Sequence, residues 1–450
     1  MAELLDAAPL TRVHIRVWLL AAMGVMLDGF DFFIMGVAIP LIEADWAPTT
    51  IQVSLLSASA VLGAMVGAAT IGRLTDRLGR RLVFKLDLAM FVVFALLSAL
   101  APSIWLLILF RFLLGVGVGA DYPISASYVA EISPARPRPR LLVGAFAFQA
   151  VGQIIGVVVG LVIMRLYPEP TAWRWMLGFG VVPALIIVVL RRGVPESPRW
   201  LARNGEVGEA RRVCGLFAGT EVSEEAVRTY AELNEGEVPY RELFGRRFRR
   251  RTVLTTVPWF FMDIATYGVG VFTPTIIAAI GISAANSGFM ADDIASAKGS
   301  AFVDLFLVAG FGLAILLITR VDHLRLQMAG FAAMIIGLLV LAWVSSLPGG
   351  GDAHTLGVFV GFSVFNLFMN MGPNSTTFLL PAEVFPTEVR ASGHGLATSC
   401  GKAGAALGLF CFPLFQADLG LSTTLVLIAG GCGVATVVTG LFRVPTASPA

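Results

Sequence analysis

The chain sets ionisable side chains inside stretches that are otherwise apolar. MLDGFDFF holds Asp28 and Asp31, VGADYPIS sets Asp121 beside Tyr122, WFFMDIATY carries Asp263 between Trp259 and Tyr267, and SCGKAG holds Lys402. In a membrane span each such charge costs about 2.5–3.5 kcal/mol on insertion scales, so it is a functional candidate by default. Steps of three or four residues share a helix face, which aligns Asp28 with Asp31 and places Trp259, Asp263 and Tyr267 on neighbouring turns. Burial and a second nearby carboxylate both favour the protonated acid. Carboxylates in several spans with one buried cation therefore suit proton transfer coupled to movement of an anion, with Asp28, Asp31 and Asp121 as the relay.

Other polar groups in the same stretches have plainer uses. Arg111 is expected to pair with a buried acid or a helix end, and Asp87, close behind Lys85, to sit at the membrane interface. Gln153, Asn366 and Asn370 suit hydrogen bonds between helices, each worth about 1 kcal/mol or less. His394, in SGHG, is expected to pack at a helix end. The cysteines Cys214, Cys400, Cys411 and Cys432 have no metal or redox spacing and receive no chemical role.

These groups need a scaffold of membrane helices. Of the 450 residues 57% are hydrophobic and 14% charged, which is a polytopic membrane composition. Twelve apolar stretches are long enough to span: 18–42, 51–71, 82–101, 104–130, 141–165, 175–192, 253–280, 300–318, 326–346, 355–383, 394–415 and 421–442. With the N-terminus inside, the termini and even-numbered loops with the span edges beside them hold 27 of the 32 Lys and Arg, and the outer loops with their edges only Arg165, Arg174 and Lys298. Both termini are accordingly expected in the cytoplasm, with the protein in the plasma (inner) membrane. The first span is full length and lacks a cleavage site, so it reads as a retained helix.

A basic segment at 193–252, with amphipathic pieces such as VSEEAVRTYAELN, separates the first six spans from the last six. The expected organisation is an N-terminal six-helix bundle at 1–192, a cytoplasmic linker at 193–252 and a C-terminal bundle at 253–450. AEISPARPR at 130–138 and AEVFPTEVR at 382–390 both read A-E-x-x-P-x-x-x-R after the fourth span of each half. GRLTDRLGRR at 72–81 has a weaker echo in TRVDHLRLQ at 319–327. Repeats at matched positions indicate an internal duplication, with a binding site near the midplane between the halves.

GRLTDRLGRR, RFLLGVGVGADYP, VPESPRWL and PAEVFPTEVR resemble the major facilitator superfamily across essentially the whole chain. The resemblance implies an all-α membrane protein of twelve transmembrane helices in two pseudo-symmetric bundles that rock about a central site. It also implies a charge network at the cytoplasmic gate, formed by Gly72, Asp76, Arg77, Gly79, Arg80 and Arg81 with Glu131, Arg138, Glu383 and Arg390. TRVDHLRLQ lacks the expected Gly-Arg pair, which implies a looser C-terminal gate.

DGFDFF, GADYPIS, FAFQAVGQ, WFFMDIATYG, MGPNSTTFLLPAEVFPTEVR and GHGLATSCGKAGAALG resemble the phosphate:proton symporters of fungi, plants and bacteria more narrowly. That resemblance implies a phosphate site of Tyr122, Gln149, Trp259, Asp263, Tyr267 and Asn374. It implies proton coupling through Asp28, Asp31, Asp121 and Asp263, with Lys402 as the charge partner that couples the halves. Phenol, indole, amide and a protonated carboxyl all donate to a tetrahedral oxyanion. Inorganic phosphate and protons are the expected partners, in a lipid bilayer, with no nucleic acid, cofactor or metal, and a monomer is the expected state.

The nearest rivals are a sugar or organic-acid symporter of the same superfamily, favoured by VPESPRWL, a carrier of another oxyanion, and a sensor that does not transport. An ATP-driven carrier is disfavoured, because GLATSCGKA has one residue too many for a P-loop and Ala403 after the lysine. An enzyme is not expected: neither H-E-x-x-H nor G-x-S-x-G occurs.

Overall fold

The computed structural model describes residues 1–233, 240–273, 276, 289–347, 352–385 and 389–444, and only the backbone of 2, 72–77, 123, 233, 289–298, 300–302, 304, 352–353 and 390–391. Every regular element among the described residues is helical. A short α1 (Ala2–Ala7) precedes α2 (Arg12–Trp46), α3 (Thr50–Leu78), α4 (Arg80–Ala99), α5 (Ile104–Ile132) and α6 (Arg138–Leu166). The sixth span is α7 (Trp173–Phe179) running into α8 (Val181–Leu190). Three linker helices follow, α9 (Pro198–Arg203), α10 (Val207–Ala218) and α11 (Glu224–Leu233), the last inside the VSEEAVRTYAELN segment read as amphipathic.

The second half comprises α12 (Arg249–Gly270), α13 (Phe289–Leu317), α14 (His323–Ser345), α15 (Asp352–Met371), α16 (Pro373–Val384), α17 (Arg390–Leu419) and α18 (Leu421–Leu441). Ten stretches among the described residues are long and apolar enough to cross a membrane. The other two predicted spans are α12, of 22 residues, and α13, whose apolar part is Leu305–Leu317.

The tenth span, read as continuous, divides at Gly372 (φ −111°, ψ −98°), with Pro373 opening α16. Proline has no N–H to give the preceding turn and its ring crowds the carbonyl four residues back, so the helix restarts there. The break lodges Asn374 in the first turn of α16.

In the first half α2 packs on α6 and α3 on α5; in the second α12 packs on α17 and α14 on α15 and α18. The halves meet where α3 lies against α17 and α6 against α13. Phe146 of α6 stacks on Phe378 of α16 with centroids 4.7 Å apart. Near the far end of α2, a methyl group on Gly36 would stand 2.1 Å from the Val271 carbonyl oxygen, and at the opposite end Arg140 donates to the Thr319 hydroxyl at 2.9 Å. These two contacts draw the halves together on both sides of the polar centre.

The linker helices are not loose. Leu201, Val213, Phe217 and Val227 share an apolar core with Leu5 of α1, Leu20 of α2, Phe84 of α4 and Ile124 of α5. Burial of this kind contributes roughly 25 cal/mol per Å2 of apolar surface.

Candidate functional site

The centre is assembled on the Tyr267 hydroxyl. α12 brings it inward; Gln149 Nε2 of α6 donates to it at 3.1 Å, and Lys402 Nζ of α17 at 2.9 Å. With both oxygen lone pairs occupied by donors, the phenol's own proton is left to be given away. The Tyr122 hydroxyl is buried beside it without completing a well-aligned hydrogen bond. Lys402, 4% exposed, lies 4.3 Å from the Tyr122 ring centre, 4.7 Å from that of Tyr267 and 5.7 Å from that of Phe32. Its immediate partners are thus a phenol and ring faces, which attract a cation through their quadrupoles. Among the described residues no carboxylate stands within 4.0 Å of it, although Asp263 and Asp28 are near enough to act on it electrostatically.

Asp263 sits one turn before Tyr267 on α12, 3% exposed, with the Trp259 indole as its polar neighbour and Oδ2 unpartnered. The indole is wedged: a methyl group on Gly401 of α17 would come within 2.7 Å of its nitrogen. Tyr122, Gln149, Trp259, Asp263, Tyr267 and Lys402 therefore converge from α5, α6, α12 and α17. Asn374 is buried, but its amide donates to Asn370 Oδ1 at 2.7 Å, and Asn370 in turn donates to the Asn366 carbonyl at 2.9 Å.

The three acids expected to form the proton relay differ in their surroundings. Asp31 Oδ1 accepts from Arg111 Nη1 at 2.6 Å, the buried pair expected of Arg111. Asp121 Oδ1 meets Arg191 Nη1 at 3.3 Å and the Ser125 hydroxyl at 3.3 Å. Asp28 is 3% exposed with Oδ2 unpartnered, and it feels Asp121, Asp87 and Lys402.

Asp87, expected at the membrane interface, is buried at 5% exposure where α4 packs on α5.

At the linker side, Arg80 Nη2 pairs with Glu131 Oε1 at 3.2 Å, and Ser197 Oγ donates to Glu131 Oε2. Gly79, at φ +86°, supplies the left-handed turn between α3 and α4 that other residues resist. Glu196 accepts from the backbone N–H groups of Arg80 and Arg81, both at 2.9 Å, and so caps α4. Arg138 donates to Asp6 and to the Ser133 carbonyl. Glu383 Oε2 pairs with His323 Nδ1 at 2.8 Å. The side chains of Gly72, Asp76, Arg77 and Arg390 lie outside the described residues.

Two residues escaped the sequence reading. Arg191, at the last turn of the sixth predicted span, was not singled out, yet it is buried and donates to the Leu20 carbonyl at 3.0 Å besides Asp121. His323 had only its place after Asp322 in TRVDHLRLQ to mark it. His394 packs as expected, against the Trp259 and Phe378 rings.

Residues 17–448 match the sugar (and other) transporter family. The chain belongs to that family. It is 31% identical over 446 residues to the inner membrane metabolite transport protein YgcS of Escherichia coli K12, covering 98% of this chain and 94% of that protein. It is also 31% identical over 458 residues to the probable inorganic phosphate transporter 1-3 of Oryza sativa subsp. japonica, covering 91% of this chain and 86% of that protein. Its fold is that of the E. coli xylose transporter XylE in a partially occluded inward-open conformation, with TM-score 0.81 and 20% identity over 97% of this chain and 99% of that one. The protein is thus a polytopic membrane transporter of the major facilitator fold rather than an enzyme.

Proposed function

We propose that the protein imports inorganic phosphate together with protons by alternating access. In this reading residues 1–192 and 253–450 rock as two bundles about the linker 193–252, both termini are cytoplasmic and the carrier is a monomer. The observation that carries the proposal is the Tyr267 hydroxyl receiving Gln149 from one half and Lys402 from the other. An oxyanion at that point meets the phenol proton, the remaining ammonium hydrogens and a cation held in a low-dielectric setting, where charge acts strongly. Ionised Asp263 would repel the anion, whereas protonated Asp263 would donate to it. Substrate and proton are then admitted together, which is symport. The motif resemblance and the plant relatives named as phosphate transporters support the substrate.

A second reading, a sugar or organic-acid carrier, is favoured by the family description and by the metabolite transporter among the relatives. Uptake of labelled phosphate by oriented proteoliposomes under an inward proton gradient decides between them. Phosphate accumulation is expected; accumulation of a sugar or carboxylic acid with no phosphate uptake sinks the proposal. Asp263→Asn is expected to abolish transport with folding intact, and a folded variant that still accumulates phosphate removes Asp263 from the mechanism.

A further inference from the structure

On the flank of the first half, α2, α4 and the end of α8 enclose a groove of about 510 Å3 that the transport mechanism does not use. Its chemistry is ordered along its length. On α4, Arg81 and Lys85 stand one turn apart, and Leu88, Ala89 and Val92 continue the same face, so the stripe is basic at its start and apolar beyond. α8 contributes the reverse order, Leu185 and Val188 first and Arg192 just past its last turn. Both helices therefore put cations at the same end.

Arg81, Lys85 and Arg192 are exposed there, and among the described residues no carboxylate lines the groove. Acids near it have other partners: Asp121 holds Arg191, Glu196 caps α4, and Glu209, which also feels Arg81, pairs with Arg212. Arg191 itself lies 4.3 Å over the Phe84 ring and forms part of the floor.

We infer that this groove binds one anionic phospholipid, its headgroup phosphate held by Arg81, Lys85 and Arg192 and an acyl chain laid along Leu88, Ala89, Val92 and Val188. Basic pockets between membrane helices are suited to anionic headgroups. A free phosphate ion would engage the cations but leave the apolar length uncovered; a phospholipid satisfies both ends. Assigning the leaflet to the cytoplasmic side rests on the orientation proposed above, whereas the site itself does not depend on the transported substrate.

The test uses delipidated full-length protein in detergent, with bound lipid counted by native mass spectrometry. Phosphatidylglycerol is expected to bind at least about ten-fold more tightly than phosphatidylcholine of the same chains, and Lys85→Gln with Arg192→Gln to remove most of that preference. Ala89→Trp, which fills the apolar length and leaves the cations in place, is expected to weaken phosphatidylglycerol by a similar factor. Equal retention of the two lipids overturns the inference. So does phosphatidylglycerol binding that survives Ala89→Trp, or full displacement of the lipid by millimolar inorganic phosphate, either of which marks a simple phosphate site. None of these arms reads transport, so their failure leaves the phosphate proposal standing.

Discussion

The two halves treat their buried polar groups differently. In the first, acids meet arginines: Asp31 with Arg111 at 2.6 Å, Asp121 with Arg191 at 3.3 Å and Glu131 with Arg80 at 3.2 Å. In the second, the partners among the described residues titrate or are neutral: Glu383 with His323 at 2.8 Å, Lys402 with the Tyr267 phenol at 2.9 Å and Asn374 with the Asn370 amide at 2.7 Å. Arginine keeps its charge at any pH a protein survives, whereas histidine changes charge near neutrality. The first half thus carries a fixed charge lattice beside two buried acids, Asp28 and Asp87, that no arginine pairs among the described residues. The second holds groups whose partners an arriving anion or proton can replace.

The largest effect should come from breaking that lattice. Arg111→Gln leaves Asp31 buried without its cation, which is expected to cost about 3–5 kcal/mol in unfolding measurements on the purified protein. Asp31→Asn added to it should restore most of the loss; a double variant that folds but does not couple uptake to protons would put Asp31 in the proton path. The two A-E-x-x-P-x-x-x-R motifs give the next contrast. Glu131→Gln removes the charged acceptor of Arg80 Nη2, for about 2 kcal/mol, while Glu383→Gln offers an amide N–H to Nδ1 of neutral His323, whose Nε2–H donates to the Ile318 carbonyl, for about 1 kcal/mol or less. Equal losses would erase the difference between the halves.

Tyr267→Phe removes the shared acceptor of Gln149 and Lys402 and should weaken the proposed phosphate binding about ten-fold, or ~1.4 kcal/mol, in equilibrium binding measurements. The smallest change is expected from His323→Arg, which makes the pair with Glu383 as permanent as that of Arg80 with Glu131. Distances between labels across the linker-side opening should then lose their dependence on pH near neutrality; an unchanged profile would mean that another group sets it.

Much of the scaffold was legible because membrane insertion leaves so strong a mark: long apolar runs, basic residues on one side and a duplicated motif after each fourth span. The convergence of Tyr122, Gln149, Tyr267 and Lys402 was approached through motif resemblance, since periodicity alone gives one helix face and not the face opposite. The burial of Asp87 was hidden because it depends on how α4 packs on α5, which the Lys85 beside it does not show. Arg191 and His323 were hidden for the same reason. Their roles depend on what Asp121 and Glu383 present from distant parts of the chain, and no local pattern carries that information. The break at Gly372 was written in the Gly-Pro pair, yet the apolar run across it argued more strongly for continuity.

The linker's shared core with α1, α2, α4 and α5 has a mechanical consequence. Helices α9, α10 and α11 are fastened to one lever of the machine rather than slung between both. Fluorophores on α10 and on α4 would keep a constant separation through a transport cycle, while α10 and α14 would separate and approach. A binding protein or antibody fragment seated on α10 would load only the first lever, adding drag to the stroke without blocking the port.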